Sequence, residues 1–191
     1  RVDPKAAIAG ICINPMNANQ YNQYLGYYRN HNIGRLIDGV MLHPYIPGAQ
    51  NPDLAGYVET LNRLNRELSA IAGKPVPMYI SEIGYSAKPG GEVTEYQQAA
   101  YLARVMILNF TIENLKAWNE ATSQRELDFA LIRKQEPGSK VYQPKPSFAA
   151  WATASRMLYN AKLLRELNVG KTMRVWLFEK EGKPMLIAYS L

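Results

Sequence analysis

A single cysteine, Cys12, and two histidines, His31 and His43, are all that these 191 residues offer of thiol and imidazole. One cysteine rules out an internal disulfide, and so few scattered ligands make no metal cluster. Cys12 lies inside an apolar run, which predicts a buried, inert thiol. There is no G-x-G-x-x-G and no P-loop, so nucleotide binding has no support and no cofactor is implied. Gly84-Tyr85-Ser86-Ala87-Lys88 departs at its last position from the G-x-S-x-G nucleophile elbow. No apolar stretch is long enough to span a membrane, and no signal peptide is visible. A dense basic run is also lacking. The formal net charge is +6, but Lys and Arg are scattered among acids, which reads as solvated surface and argues against nucleic-acid and membrane partners. One cysteine fits the cytosol as well as many secreted enzymes; the compartment stays open, with a secreted or periplasmic setting slightly preferred to a cytoplasmic one. The first residue is Arg1 rather than Met, and the expectation is that the natural start lies elsewhere.

What is present is a globular composition, 47% hydrophobic and 20% charged, sufficient for one sizeable core. The centre of the pattern is Pro77-Met78-Tyr79-Ile80-Ser81-Glu82-Ile83-Gly84-Tyr85-Ser86. Met78 to Ile80 form an apolar run too short for a helix, started by prolines and broken by Gly84, as in a strand buried on both faces of a parallel sheet. A carboxylate, Glu82, stands where that strand ends. Ala6 to Ile13 predicts an earlier buried strand, and Val40 to Leu42 another, with His43-Pro44-Tyr45 at its exit. Leu115-Lys116-Ala117-Trp118 predicts a fourth, leading to Asn119-Glu120.

Helical spacing separates these strands. Tyr21, Tyr24, Leu25 and Tyr28 predict a helix whose tyrosines, Tyr27 included, pack on the sheet rather than forming a sugar platform. Asn51 as N-cap with Pro52 at the first position opens a second helix along Leu54, Val58, Leu61, Leu64, Leu68 and Ile71, stopped by Gly73. Thr94 and Gln97 make a capping box for a third. Pro146 introduces a fourth from Ser147, with Phe148, Trp151, Ala154, Leu158 and Ala161 inward. Gln124 to Lys140 is polar and irregular apart from Leu127 to Ile132. Near Leu167 the pattern changes: Arg174 to Phe178 and Met185 to Tyr189 flank Glu181-Gly182-Lys183, a β-hairpin, with Trp176 and Trp151 as core. The order β-α-β-α-β-α-β-α followed by a hairpin predicts an α/β fold with a parallel sheet. Four units are half of an eight-fold barrel, which needs roughly 250 residues when complete.

The chemistry left at the strand ends is carboxylate and aromatic: Glu82, Glu120, His43, Tyr45, Tyr85 and Trp118. Aromatic faces stack on pyranose rings, and a carboxylate can attack an anomeric carbon. Asn14 closes the first strand and is a lesser candidate for the same edge.

Ile80-Ser81-Glu82-Ile83-Gly84-Tyr85-Ser86 resembles the seventh-strand motif of clan A retaining glycoside hydrolases, whose glutamate is the nucleophile. His43-Pro44-Tyr45 is similar to the sixth-strand exit of that clan, Trp118 to the eighth-strand tryptophan that floors the subsite of the non-reducing-side sugar, and Lys145-Pro146-Ser147-Phe148 to the start of the last barrel helix. The hairpin resembles the small β-sandwich appended in several of these families. The resemblance implies the C-terminal half of a (β/α)8 TIM barrel over residues 1–162 and the start of an antiparallel β-domain over 163–191. It implies hydrolysis of β-glycosidic bonds in oligo- or polysaccharides by double displacement, with Glu82 catalytic. His43, Tyr45 and Tyr85 would hydrogen-bond or polarise Glu82, Trp118 would stack on the sugar, and Glu120 would stand at the rim. The sequence departs from the clan in one respect. The acid/base glutamate of an Asn-Glu pair on the fourth strand has no counterpart, because Glu59 and Glu67, the only glutamates before Glu82, both sit on a helix. Asn119-Glu120 follows Trp118 and is in the wrong order for that pair. The expectation is therefore a fragment that lacks its acid/base and is inactive alone, with the missing N-terminal half as partner. The alternatives are a non-catalytic carbohydrate-binding or degenerate barrel protein, and a half-barrel completed by homodimerisation.

Overall fold

A computed structural model describes residues 3, 5–88, 90–118, 128–133, 138 and 143–191. Four strands, β1 (Ala9–Ile13), β2 (Gly39–Leu42), β3 (Met78–Ile80) and β4 (Leu115–Trp118), pair in chain order, every pair parallel. The helices α1 (Ala18–Asn30), α2 (Tyr57–Ala72) and α3 (Glu95–Leu108) connect them, and α4 (Pro146–Leu158) follows β4. The described sheet is open, with β1 and β4 at its ends. The expected alternation of parallel strands and helices is present.

The central strands are buried because both faces carry apolar side chains: Val40, Leu42 and Met78 have no exposure and Ile80 almost none. Gly39 opens β2 where the Tyr79 ring and the Pro77 carbonyl come so close that a Cβ would lie 2.7 and 2.9 Å from them. The first strand departs from expectation. Ile11 and Cys12 are exposed, not buried, because among the described residues β1 has a neighbouring strand on one side only and carries a bulge between Gly10 and Cys12. Ile11 sits at the bulge with φ +54°, a conformation β-branched residues rarely adopt.

Three helix termini follow local chemistry and one, the start of α2, follows tertiary demand. Asn17 caps α1 by accepting from Asn19 and Gln20. Thr94 and Gln97 close the predicted capping box on α3 with bonds of 2.9 and 3.2 Å. By contrast, Asn51 and Pro52 do not start α2. Asn51 accepts from Asp53 N–H in a local turn, Gly56 at φ +65° interrupts any helical run, and α2 begins at Tyr57, leaving Leu54 exposed. Gly73 ends α2 at φ +66° as its sequence signal predicts. On α4 the buried residues are Ser147 and Leu158, while Phe148 is largely exposed and Ala161 lies beyond the helix. Tyr21, Tyr24, Leu25 and Tyr28 are buried on α1, but Tyr27 faces outward and stacks on His31 at 4.3 Å.

A second sheet is antiparallel and has three strands rather than the two expected: β5 (Lys162–Leu167), β6 (Met173–Lys180) and β7 (Lys183–Ser190), in that order. β5 escaped the sequence pattern because Lys-Leu-Leu-Arg-Glu-Leu is made of good helix formers. Asn160 at φ +56° ends the helical stretch, and pairing with β6 then overrides propensity. Glu181 and Gly182, both with positive φ, form the two-residue turn between β6 and β7. Trp176 and Phe178 of β6 are buried, and Phe178 meets Phe110 edge-on at 5.2 Å. The sheet is tied to the β2–α2 loop through Asp53, whose side chain is 1% exposed: Arg174 lies 2.9 Å and Tyr189 Oη 3.0 Å from Asp53 Oδ1, and Arg104 3.9 Å from Oδ2. Arg174 also grips Glu166 with two bonds and covers the Trp176 ring. Trp151 is only partly buried against this core.

Candidate functional site

The site forms where β1, β2 and β3 end together. His43 N–H donates to Ile13 C=O (2.7 Å), and Ser81 N–H to Leu42 C=O (3.1 Å), so each ladder runs one residue past its strand. Pro44 has no N–H to continue the ladder, and Tyr45 N–H turns back onto His43 C=O at 2.8 Å. This tight reversal lifts the Tyr45 ring over the exit of the neighbouring strand, where Glu82 stands. Asn14, at the end of β1, donates from Nδ2 to Tyr45 C=O (3.0 Å) and braces the loop from the other side.

Tyr45 O–H donates to Glu82 Oε1, and His43 Nδ1 lies 3.5 Å from Oε2. Both carboxylate oxygens therefore face a polar group, and both His43 and Glu82 are about one-third exposed (34% each). The rings of His43, Tyr45 and Phe129 form a row, each crossing the next near a right angle, at 6.3 and 5.7 Å. A cleft of about 420 Å3 opens here, lined by Tyr45, Ile46, Ala49, Glu82, Gly84, Tyr85, Ser86 and Phe129. Glu82 is the one carboxylate among these lining residues. Tyr85 is buried and packs its ring on Tyr101 at 5.1 Å. Cys12 Sγ approaches Ser81 Oγ at 3.9 Å. Partial burial pushes the thiol pKa up, and the Glu82 carboxylate adds to the rise, against the Ser81 hydroxyl, which lowers it.

The structure thus brings together Glu82, His43, Tyr45 and Tyr85. Trp118 closes β4 in register with Ile80, two residues before Glu82. Glu120 and its neighbour Asn119 lie outside the described residues.

Behind the cleft is a polar cluster that the sequence did not announce. Gln98 of α3 has no exposure, and its Nε2 reaches the carbonyls of Tyr85 (2.7 Å), Asp128 (3.1 Å) and Phe129 (3.3 Å), while its Oε1 accepts from Ser147 Oγ–H (2.9 Å). Lys145 Nζ donates to the Asp128 carbonyl at 3.0 Å, and burial pushes its pKa down. Lys145 and Ser147 belong to the motif at the start of α4; their work here is to hold the 128–129 segment. Phe129 itself fell within the Leu127 to Ile132 run, the one apolar patch in a stretch otherwise polar, and that was its only signal.

No family model matches the sequence, and no curated protein does. Solved structures do. A glucosidase from Croceicoccus marinus superposes with a TM-score of 0.55 at 13% identity, covering 93% of this chain and 40% of that one. An endo-β-1,3-glucanase from Amycolatopsis mediterranei aligns over 78% of this chain and 58% of its own (TM-score 0.46, 12% identity). A β-glycosidase aligns over 73% and 37% (TM-score 0.44, 19% identity). The chain spans less than two thirds of each of these proteins. The likeness to the first is one of fold.

Proposed function

We propose that this chain carries the nucleophile of a retaining β-glycoside hydrolase, with Glu82 as that nucleophile and a longer protein supplying the general acid. The observation that carries the reading is the meeting of Tyr45, His43 and Glu82 at the C-terminal ends of adjacent parallel strands, in a cleft. In parallel α/β folds this edge is where loops assemble chemistry. In the reaction a Glu82 oxygen attacks the anomeric carbon as the bond to the leaving oxygen breaks. A second carboxyl about 5–5.5 Å away gives that oxygen its proton and then takes one from the attacking water. Tyr45 fixes the lone-pair direction of Glu82, and His43 orients the other oxygen. Trp118, at the next strand end, stacks on the sugar, and Tyr85 supports the loop after Glu82. The glucosidase whose fold this chain shares makes a glucoside the first substrate class to try.

The test needs no general acid. A 2-deoxy-2-fluoro-β-glycosyl fluoride loses fluoride with the bonding electron pair when a carboxylate attacks its anomeric carbon, and the ester formed is slow to hydrolyse. Incubation with the gluco, manno and galacto forms should add one fluoroglycosyl mass to the peptide holding Glu82. Labelling of a different carboxylate, or of none with any of the three, would overturn the assignment.

The presence of one carboxylate among the described cleft residues favours a second reading, a non-catalytic carbohydrate-binding site. It predicts sugar binding with no covalent labelling.

A further inference from the structure

We propose that Phe129 is a sugar-contacting wall of the Glu82 cleft and that Gln98 is the residue that positions it; this rests on the carbohydrate reading above. The cleft is amphiphilic in the way a pyranose is. Glu82, Ser86 and the Tyr45 hydroxyl are polar, whereas Ile46, Ala49 and the Phe129 ring offer carbon to the C–H faces of a sugar. Phe129 is half-buried, so it retains ring surface toward the cleft, and it crosses the Tyr45 ring at 82°. Tyr45 is the residue that donates to Glu82, so Phe129 stands one ring away from the reacting carboxylate.

The backbone beneath Phe129 is held far more firmly than a surface loop requires. The Asp128 carbonyl accepts from three donors: Ala87 N–H at 3.0 Å, Lys145 Nζ at 3.0 Å and Gln98 Nε2 at 3.1 Å. A carbonyl has two lone pairs, and the Gln98 amide has two hydrogens for three carbonyls, so bonds here are shared and the geometry is over-determined. Burying an amide, a hydroxyl and an ammonium is unfavourable unless each is bonded. Gln98, Ser147 and Lys145, all 5% exposed or less, direct their bonds to one another and to the carbonyls at 85, 128 and 129. Their joint effect is to join the loop after β3, which carries Glu82, to the segment that carries Phe129.

The experiment is the concentration dependence of labelling by whichever 2-deoxy-2-fluoro-β-glycosyl fluoride marks Glu82; this probe has no aromatic leaving group to confuse the contact. Phe129→Ala should raise the half-saturating probe concentration about three- to tenfold while the limiting rate changes little. Phe129→Trp should restore it. Gln98→Met should raise the same constant, yet add little in the Phe129→Ala background, because it acts through that ring. Ser147→Ala, which loosens Gln98 without removing it, should give a smaller rise and keeps the test open if Gln98→Met does not fold. An unchanged half-saturating concentration in Phe129→Ala, with labelling intact, would overturn the role of Phe129. A Gln98→Met or Ser147→Ala effect that multiplies in full on top of Phe129→Ala would overturn the positioning role. Absence of labelling in the unsubstituted chain would overturn the Glu82 reading itself and this inference with it.

Discussion

Glu82 has two oxygens and two different neighbours, an asymmetry that suits the nucleophile role proposed for it. The Tyr45 hydroxyl hydrogen-bonds one oxygen, and His43 faces the other at 3.5 Å. On the proposed reading Trp118 is the residue that binds sugar. Trp118→Ala should weaken sugar binding by about 0.5–1.5 kcal/mol beyond area burial, measured by titration calorimetry, with a smaller effect on melting temperature. A large melting loss with unchanged binding would make it a core residue instead. Cys12 offers a probe of the same carboxylate. Partial desolvation of its sulfur and the Glu82 charge both raise its pKa, so its reaction with a disulfide reagent should need higher pH than a free cysteine does. Glu82→Gln should shift that profile to lower pH, because removing the negative charge favours the thiolate. An unshifted profile would place the two groups out of electrostatic contact. That His43, Tyr45 and Glu82 meet was legible because proline or glycine punctuates both strand exits. Gln98 and Ser147 were not legible: their bond joins positions 49 apart, and nothing local distinguishes a buried Gln from a surface one.

At the scale of elements, legibility followed how local the determinant was. The capping box on α3 and the Gly73 stop on α2 are written within a few residues. The start of α2 is not. Asn51 and Pro52 are as good a cap and first residue as sequence offers, yet the segment is drawn into a turn that presents Asp53 to β6 and β7. β5 was hidden for the same reason, its partner lying across a loop. The Asp53 cluster yields a stability prediction. Removing one member of a buried pair costs about 3–5 kcal/mol, and Arg174→Met should fall at the lower end because Tyr189 and Arg104 remain. The exposed pair Arg66–Glu113 serves as the control, where Arg66→Met should cost about 0–1 kcal/mol. Urea denaturation of both variants decides it; equal losses would show that the Asp53 cluster anchors nothing.

For the whole molecule, the consequence of the four-stranded parallel sheet is a pair of strand edges and one incompletely covered strand, β1, with Ile8, Ile11 and Cys12 exposed. Such edges pair with other chains unless covered. On the proposed reading, the 191 residues alone should show no glycoside turnover, since retaining hydrolysis divides its roles between two carboxyl groups. They should also self-associate, and activity should appear when an N-terminal barrel half is added in trans. Sedimentation and a chromogenic β-glucoside assay check both; turnover by a purified monomer would refute the division and give Glu120 a larger part than the rim.

The tie between Asp53 and the antiparallel sheet also sets an order of events during synthesis. Asp53 belongs to the loop that runs from Tyr45 to α2, but its partners follow it by 121 residues at Arg174 and 136 at Tyr189. On a ribosome the parallel strands emerge first and can pair while Asp53 is still a solvated carboxylate on a slack loop. Contacts this distant in sequence form slowly. The wall of the cleft that carries Ile46 and Ala49 should therefore set only after β6 and β7 have emerged and docked. A nascent chain arrested before β6 should hold its parallel sheet but leave that loop open to protease.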